Sequence, residues 1–156
     1  MISFNYGAKN IDRVKKSMKC IVATCVVFCT VMTIVSQFGA QIFVNMFTEN
    51  STVSKIAVEW IKIYAGGALC LAIQYPCVDM IVGLGIPLPG AMMSLNRKVS
   101  IALLTGLLPL GLGAYGAVMA EPIGDAYSMV VSAIIFSAVI RKVLKKRENK
   151  VLINEK

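Results

Sequence analysis

Apolar residues run almost unbroken through four stretches of this chain, and polar residues gather between them. From Cys20 to Thr48 no residue is charged, a run longer than the roughly 20 apolar residues needed to cross a hydrocarbon core. It is also too long for a signal-peptide core, so no cleaved leader is expected. Glu49-Asn50-Ser51-Thr52 then supplies helix-capping side chains, and Val53, Ile56, Ala57, Trp60, Ile61 and Tyr64 recur at helical spacing. A second helix is predicted from here to about Gly83, amphipathic in its first turns. Residues 83–90, with Pro87 and Pro89, hold too much Gly and Pro for a straight helix and predict a connection. Val99 to Ala120 is free of charge and predicts a third helix, kinked by Gly106, Pro109, Gly111, Gly113 and Gly116. Glu121-Pro122 predicts a tight outer turn, and the residues after it a fourth helix. The fold class read from this pattern is an all-α integral membrane protein with four transmembrane helices, at about 20–44, 57–83, 97–119 and 122–143. They form a membrane region over 20–145, between a basic cytoplasmic segment at 1–19 and a basic cytoplasmic tail at 146–156.

Composition supports the membrane reading: of 156 residues 57% are hydrophobic and 15% charged, where a soluble domain carries about 25% charged residues. The chain has no histidine, which removes Ser-His-Asp and Cys-His nucleophile pairs and His-ligated metals. No enzyme activity is expected. The net charge of +8 would suggest nucleic acid if the charge were spread, but fourteen of the sixteen Lys and Arg fall in three patches. These are Lys9 to Lys19, Arg97-Lys98, and Arg141 to Lys156; only Lys55 and Lys62 lie elsewhere. Basic residues are retained on the inner side during insertion, so the pattern predicts a multi-pass plasma-membrane protein with both termini cytoplasmic and no nucleic-acid partner. Trp60, Tyr64, Tyr115 and Tyr127 are expected at the outer interface.

Few polar residues remain that could carry chemistry. Asp79 is the only acidic residue inside a predicted span interior, where a carboxylate is costly to retain. Tyr75 and Asp79 share a helix face, and Pro76 between them leaves a backbone carbonyl without its helical partner. The pair is a candidate cation or proton site; the alternative is an interfacial Asp79 in contact with water. Asp125 is a weaker polar candidate, otherwise read as favouring a helix N-terminus or a solvated interface. Glu121 reads as a turn residue. Cys20, Cys25, Cys29, Cys70 and Cys77 form no Cys-x-x-Cys; they read as small buried residues, and no metal site and no cofactor are expected.

Three segments resemble the multidrug and toxic compound extrusion (MATE) transporters. ISFNYGAKNIDRVKKSMK is similar to a motif at which one of their spans meets a basic loop, Met1 standing just after the motif's proline. GLGIPLPGAMMSLNRKV resembles a Gly-x-Gly connection leading into an Arg-containing span, and GAYGAVMAEPIGDAYS the junction of the last two spans. The matches come in family order and cover nearly the whole chain. The resemblance implies the last four spans of a twelve-span secondary transporter that expels drugs or organic cations in exchange for sodium ions or protons. On this reading the chain is a carboxy-terminal fragment partnered by the lipid bilayer, its cationic substrate and the amino-terminal spans. The family places a carboxylate and a tyrosine on the corresponding span, which Asp79 and Tyr75 resemble. The alternative is a small autonomous four-span protein acting as a homo-oligomeric carrier or an assembly subunit.

Overall fold

The computed structural model describes residues 2–8 and 10–154, and among these every regular element is α-helical. Met1, Lys9 and Lys156, named above, lie outside the described residues. A short helix α1 (Ile2–Gly7) is followed by α2 (Ile11–Asn45), α3 (Ser51–Gly83) and α4 (Pro87–Asn154). Local chemistry sets the starts. Asn10 caps α2 by accepting a hydrogen bond from the Arg13 amide at 3.1 Å. Asn50 caps α3 as expected, its Oδ1 accepting from the Thr52 and Val53 amides at 3.0 and 3.3 Å. Between α3 and α4 the chain turns through Gly85, whose φ of 80° favours glycine, and Pro87 opens α4, where a missing amide proton is tolerated.

Among the described residues three helices are long and apolar enough to cross a membrane: Ile11–Asn45, Ser51–Gly83 and Pro87–Val143. The third has 57 residues and would extend about 85 Å if straight, nearly three times the hydrocarbon core. It is not straight. Gly113 has φ 59° and ψ −145°, a conformation outside any helix, and there the chain folds back on itself. Arg97 and Asp125, which would stand about 42 Å apart in a continuous helix, touch at 2.7 Å. The element is thus a hairpin with a first arm (87–112) and a second arm (114–154).

The reversal therefore lies at Gly113 rather than at Glu121-Pro122, and Glu121 and Pro122 sit inside the second arm. The physical reason is that a turn between two apolar arms needs a residue free to take positive φ more than it needs polar side chains. Pro122 has a packing role instead: a Cβ on Gly67 would come within 2.9 Å of the Pro122 Cα, so α3 and the second arm meet nearly backbone to backbone. The beginning differs too. Residues 2–7 and 11–19 are helical, so α2 carries its basic residues on the same helix as its apolar run.

Packing concentrates on α3 and the hairpin. One buried cluster joins Ile2, Val14, Met18, Met80 and Leu84, and a second joins Cys77, Ile81 and Met93 with Phe136 against it. By contrast α2 leaves most of its apolar side chains exposed, among them Phe28, Val31, Val35 and Phe38. Polar side chains tie it to α3: Thr33 Oγ1 donates to the Ala65 carbonyl at 3.3 Å and Gln37 Nε2 to the Lys62 carbonyl at 2.9 Å. Among the cysteines only Cys77 is buried; Cys20 is exposed and Cys25, Cys29 and Cys70 are half-buried. The expectation of five buried cysteines fails because α2, which carries three of them, is itself little covered.

Candidate functional site

Two glycines bring the hairpin close enough to build a site. On the first arm, a Cβ on Gly90 would approach Val82 Cγ2 to 2.8 Å, so this arm lies tight against α3. Gly90, Met93 and Arg97 follow at helical spacing and all are buried, which turns the Arg97 side chain inward. On the second arm, a Cβ on Gly124 would meet Ile101 Cγ1 at 2.6 Å, so the arms also meet closely there. Asp125, Ser128 and Ser132 share the buried face of this arm.

At the centre, Arg97 Nε donates to Asp125 Oδ1 at 2.7 Å, with the two side chains only 7% and 4% exposed. A charge-assisted bond of this length is among the stronger polar contacts a protein makes, and it offsets the cost of burying both charges. Glu121, one turn before Asp125, places Oε1 3.6 Å from the far guanidinium nitrogen of Arg97. The same guanidinium lies over the Tyr75 ring, 5.7 Å from its centroid, within cation–π range. One cation therefore faces two carboxylates, and the cluster carries an excess negative charge on the Glu121 side. Among the described residues, four buried polar atoms have no hydrogen-bond partner in the protein: Gln74 Oε1, Asn96 Nδ2, Ser128 Oγ and Ser132 Oγ.

A cavity of about 730 Å³ opens between α2, α3 and the second arm, walled by Phe28, Met32, Trp60, Tyr64, Ala68 and Val118 among others. Its lining is mostly apolar, with Thr33 and Ser36 as polar exceptions. Tyr64 joins the cavity to the charge cluster, since it lies within electrostatic reach of Glu121, Asp125 and Arg97.

The residues singled out from sequence are distributed unevenly over this arrangement. Tyr75 belongs to the cluster, half exposed beneath Arg97. Asp79, one turn further along α3, is exposed on the protein surface and is not among the carboxylates facing Arg97. Asp125 is neither a capping residue nor solvated: it lies three turns past the reversal and is 3% exposed, because Arg97 neutralises it there. Arg97 itself, grouped above with the basic residues that mark a cytoplasmic end, lies well inside the first arm, whereas its neighbour Lys98 is exposed. Tyr64 and Glu121 were read as an interfacial aromatic and a turn residue, and both flank the cluster. A signal for the seam was present in the sequence: Glu121, Asp125, Ser128 and Ser132 fall on one stripe of an otherwise apolar helix.

A family model described as MatE matches residues 1–108. No curated protein and no solved structure matches the chain.

Proposed function

This chain belongs to the MatE family, and from that premise we propose that it supplies the last four spans of a twelve-span antiporter for drugs or organic cations. Family membership carries the reading, since it supports a multidrug or cation efflux transporter in general terms. The hairpin adds to it. Its arms 87–112 and 114–143 would extend about 39 and 45 Å, each more than the hydrocarbon core requires, which supports reading α4 as two spans and the chain as four. Both termini are cytoplasmic and the protein resides in the plasma membrane.

In this reading the exposed face bearing Tyr75 and Asp79 serves sodium or proton coupling, turned toward the spans that precede this chain. A carboxylate retained on an apolar helix needs a partner, and a coupling cation is one. The aromatic cavity beside Tyr64 receives the organic cation. Alternating access needs one half of a transporter to rock against another, which four spans do not contain.

Ethidium export tests the proposal. Cells carrying the 156-residue chain alone are expected to export no faster than cells with empty vector, and cells co-expressing the preceding spans of a MATE transporter are expected to export in dependence on a sodium or proton gradient. Gradient-driven export by the chain alone would replace this reading with the small autonomous carrier.

A further inference from the structure

A second cavity, a groove of about 630 Å³, runs along the second arm with Ile73 of α3 at one edge. Met129, Ala133, Ser137 and Arg141 line it at every fourth position, beside the parallel row of Ile134 and Ala138. From Met129 to Arg141 the helix rises about 18 Å, close to the roughly 15 Å of hydrocarbon in a single leaflet. The chemistry changes along that length. The groove is apolar as far as Ile134, then meets the Ser137 hydroxyl, and ends at the Arg141 guanidinium. Lys145, one turn beyond, adds a second cation to the same helix face, and both basic side chains are exposed. Among the described residues no carboxylate pairs with Arg141. Ile134 is 64% exposed although apolar, so within a membrane something apolar covers it. The preceding spans are not the occupant indicated: Ile73 stands about 160° and 120° around the α3 axis from Tyr75 and Asp79, so the groove faces away from the side assigned to those spans.

We propose that this groove holds one anionic phospholipid from the leaflet on the side of the carboxy-terminal tail, with an acyl chain along Met129 to Ile134 and the phosphate on Arg141 and Ser137. The order of groups along the groove matches the order of groups along such a lipid. A guanidinium fork can donate two parallel hydrogen bonds to phosphate oxygens, and the Ser137 hydroxyl can donate a third. Lys145 selects for net negative charge, because a zwitterionic headgroup brings its own cation toward the two basic side chains and gains less from them. The inference goes beyond the proposed function and takes from it only the inner leaflet as the source of the lipid.

Purified chain in neutral detergent micelles is mixed with equal amounts of phosphatidylglycerol and phosphatidylcholine carrying the same oleoyl chains, and retained lipid is read by native mass spectrometry. The expected result is a single retained lipid, with phosphatidylglycerol favoured by about fivefold or more. Arg141→Gln is expected to cut this preference to under about twofold. Lys142→Gln removes the same charge one residue away, on a different side of the helix, and is expected to leave the preference nearly intact. Ala138→Phe fills the groove from an exposed position and is expected to lower retention of both lipids with the helical circular-dichroism signal unchanged. Millimolar glycerophosphate is expected not to displace the lipid. Equal retention of the two lipids by the wild-type chain overturns the proposal, and this comparison needs no variant. Equal losses in Arg141→Gln and Lys142→Gln overturn it in favour of the charge of the tail as a whole; full retention in Ala138→Phe, or displacement by glycerophosphate, overturns it in favour of a headgroup contact without the groove. With the preceding spans of a MATE transporter co-purified, the lipid is expected to stay, and its loss would make the groove a seam between helices instead. Micelles have no sides, so none of these outcomes depends on the orientation of the chain or on whether any assembly exports.

Discussion

Removing the Arg97 guanidinium should unbalance the hairpin more than removing its carboxylate partner. In Arg97→Met, Asp125 remains 3% exposed with no cation beside it. The 2.7 Å contact corresponds to a gross attraction of about 6 kcal/mol at an effective dielectric of about 20. Most of that is offset in the native protein by the desolvation of both groups. After truncation the offset is lost and the desolvation stays, so breaking the pair from this side should destabilise by about 3–5 kcal/mol. Asp125→Asn differs, because Glu121 already lies 3.6 Å from Arg97 and can accept from it; the loss should be about 1–3 kcal/mol. The double variant Arg97→Met with Asp125→Leu leaves no buried charge in the pair and should lie closer to wild type than Arg97→Met alone. Unfolding of purified protein in mixed micelles of dodecyl maltoside and dodecyl sulfate, followed by helical circular dichroism, gives all three values. A loss under about 1 kcal/mol for Arg97→Met would show the pair to be hydrated like a surface ion pair. A double variant less stable than the single one would refute the argument from buried charge.

Three further outcomes are expected. Gly113→Ala forces a side chain into φ 59°, ψ −145° and should cost about 1–3 kcal/mol; in the same assay Gly124→Ala should cost less than Gly116→Ala, because the former meets Ile101 side-chain atoms and the latter the Leu108 carbonyl at 2.5 Å. For topology, impermeant maleimide applied to intact cells, in a background freed of native cysteines, should label Ser51→Cys and not Asn149→Cys, and the reverse pattern would invert the orientation. Asp79→Asn in a full-length transporter containing this region should lower gradient-driven ethidium efflux more than it lowers protein abundance; undiminished efflux at equal abundance would make Asp79 an interfacial residue.

The helix starts were legible because they depend on neighbours in sequence. Asn50 caps the amides of Thr52 and Val53, and no distant part of the chain has a say in that. The reversal at Gly113 was hidden among five helix-weakening residues that look alike in sequence, and the stronger polar signal at Glu121-Pro122 drew the turn to itself. Which glycine turns is decided by where the arms meet, at Gly116 against Leu108 and Gly124 against Ile101. Arg97 and Asp125 are 28 residues apart, and nothing local couples them. Counting basic residues by patch also assigned Arg97 to the membrane edge with Lys98, although adjacent residues on a helix point in different directions. Asp79 stands out in the sequence as the acidic residue inside a predicted span, whereas among the described residues the buried carboxylate is that of Asp125.

The hairpin also bears on how such a protein is made. From Val99 to Ile140 the chain carries no basic residue and only two acidic ones, and its reversal consists of a single glycine. Nothing hydrophilic has to be threaded through the lipid to reach the far side. The two arms can enter the bilayer together, paired through Arg97 and Asp125, so that these two charges offset each other and only Glu121 is left in excess.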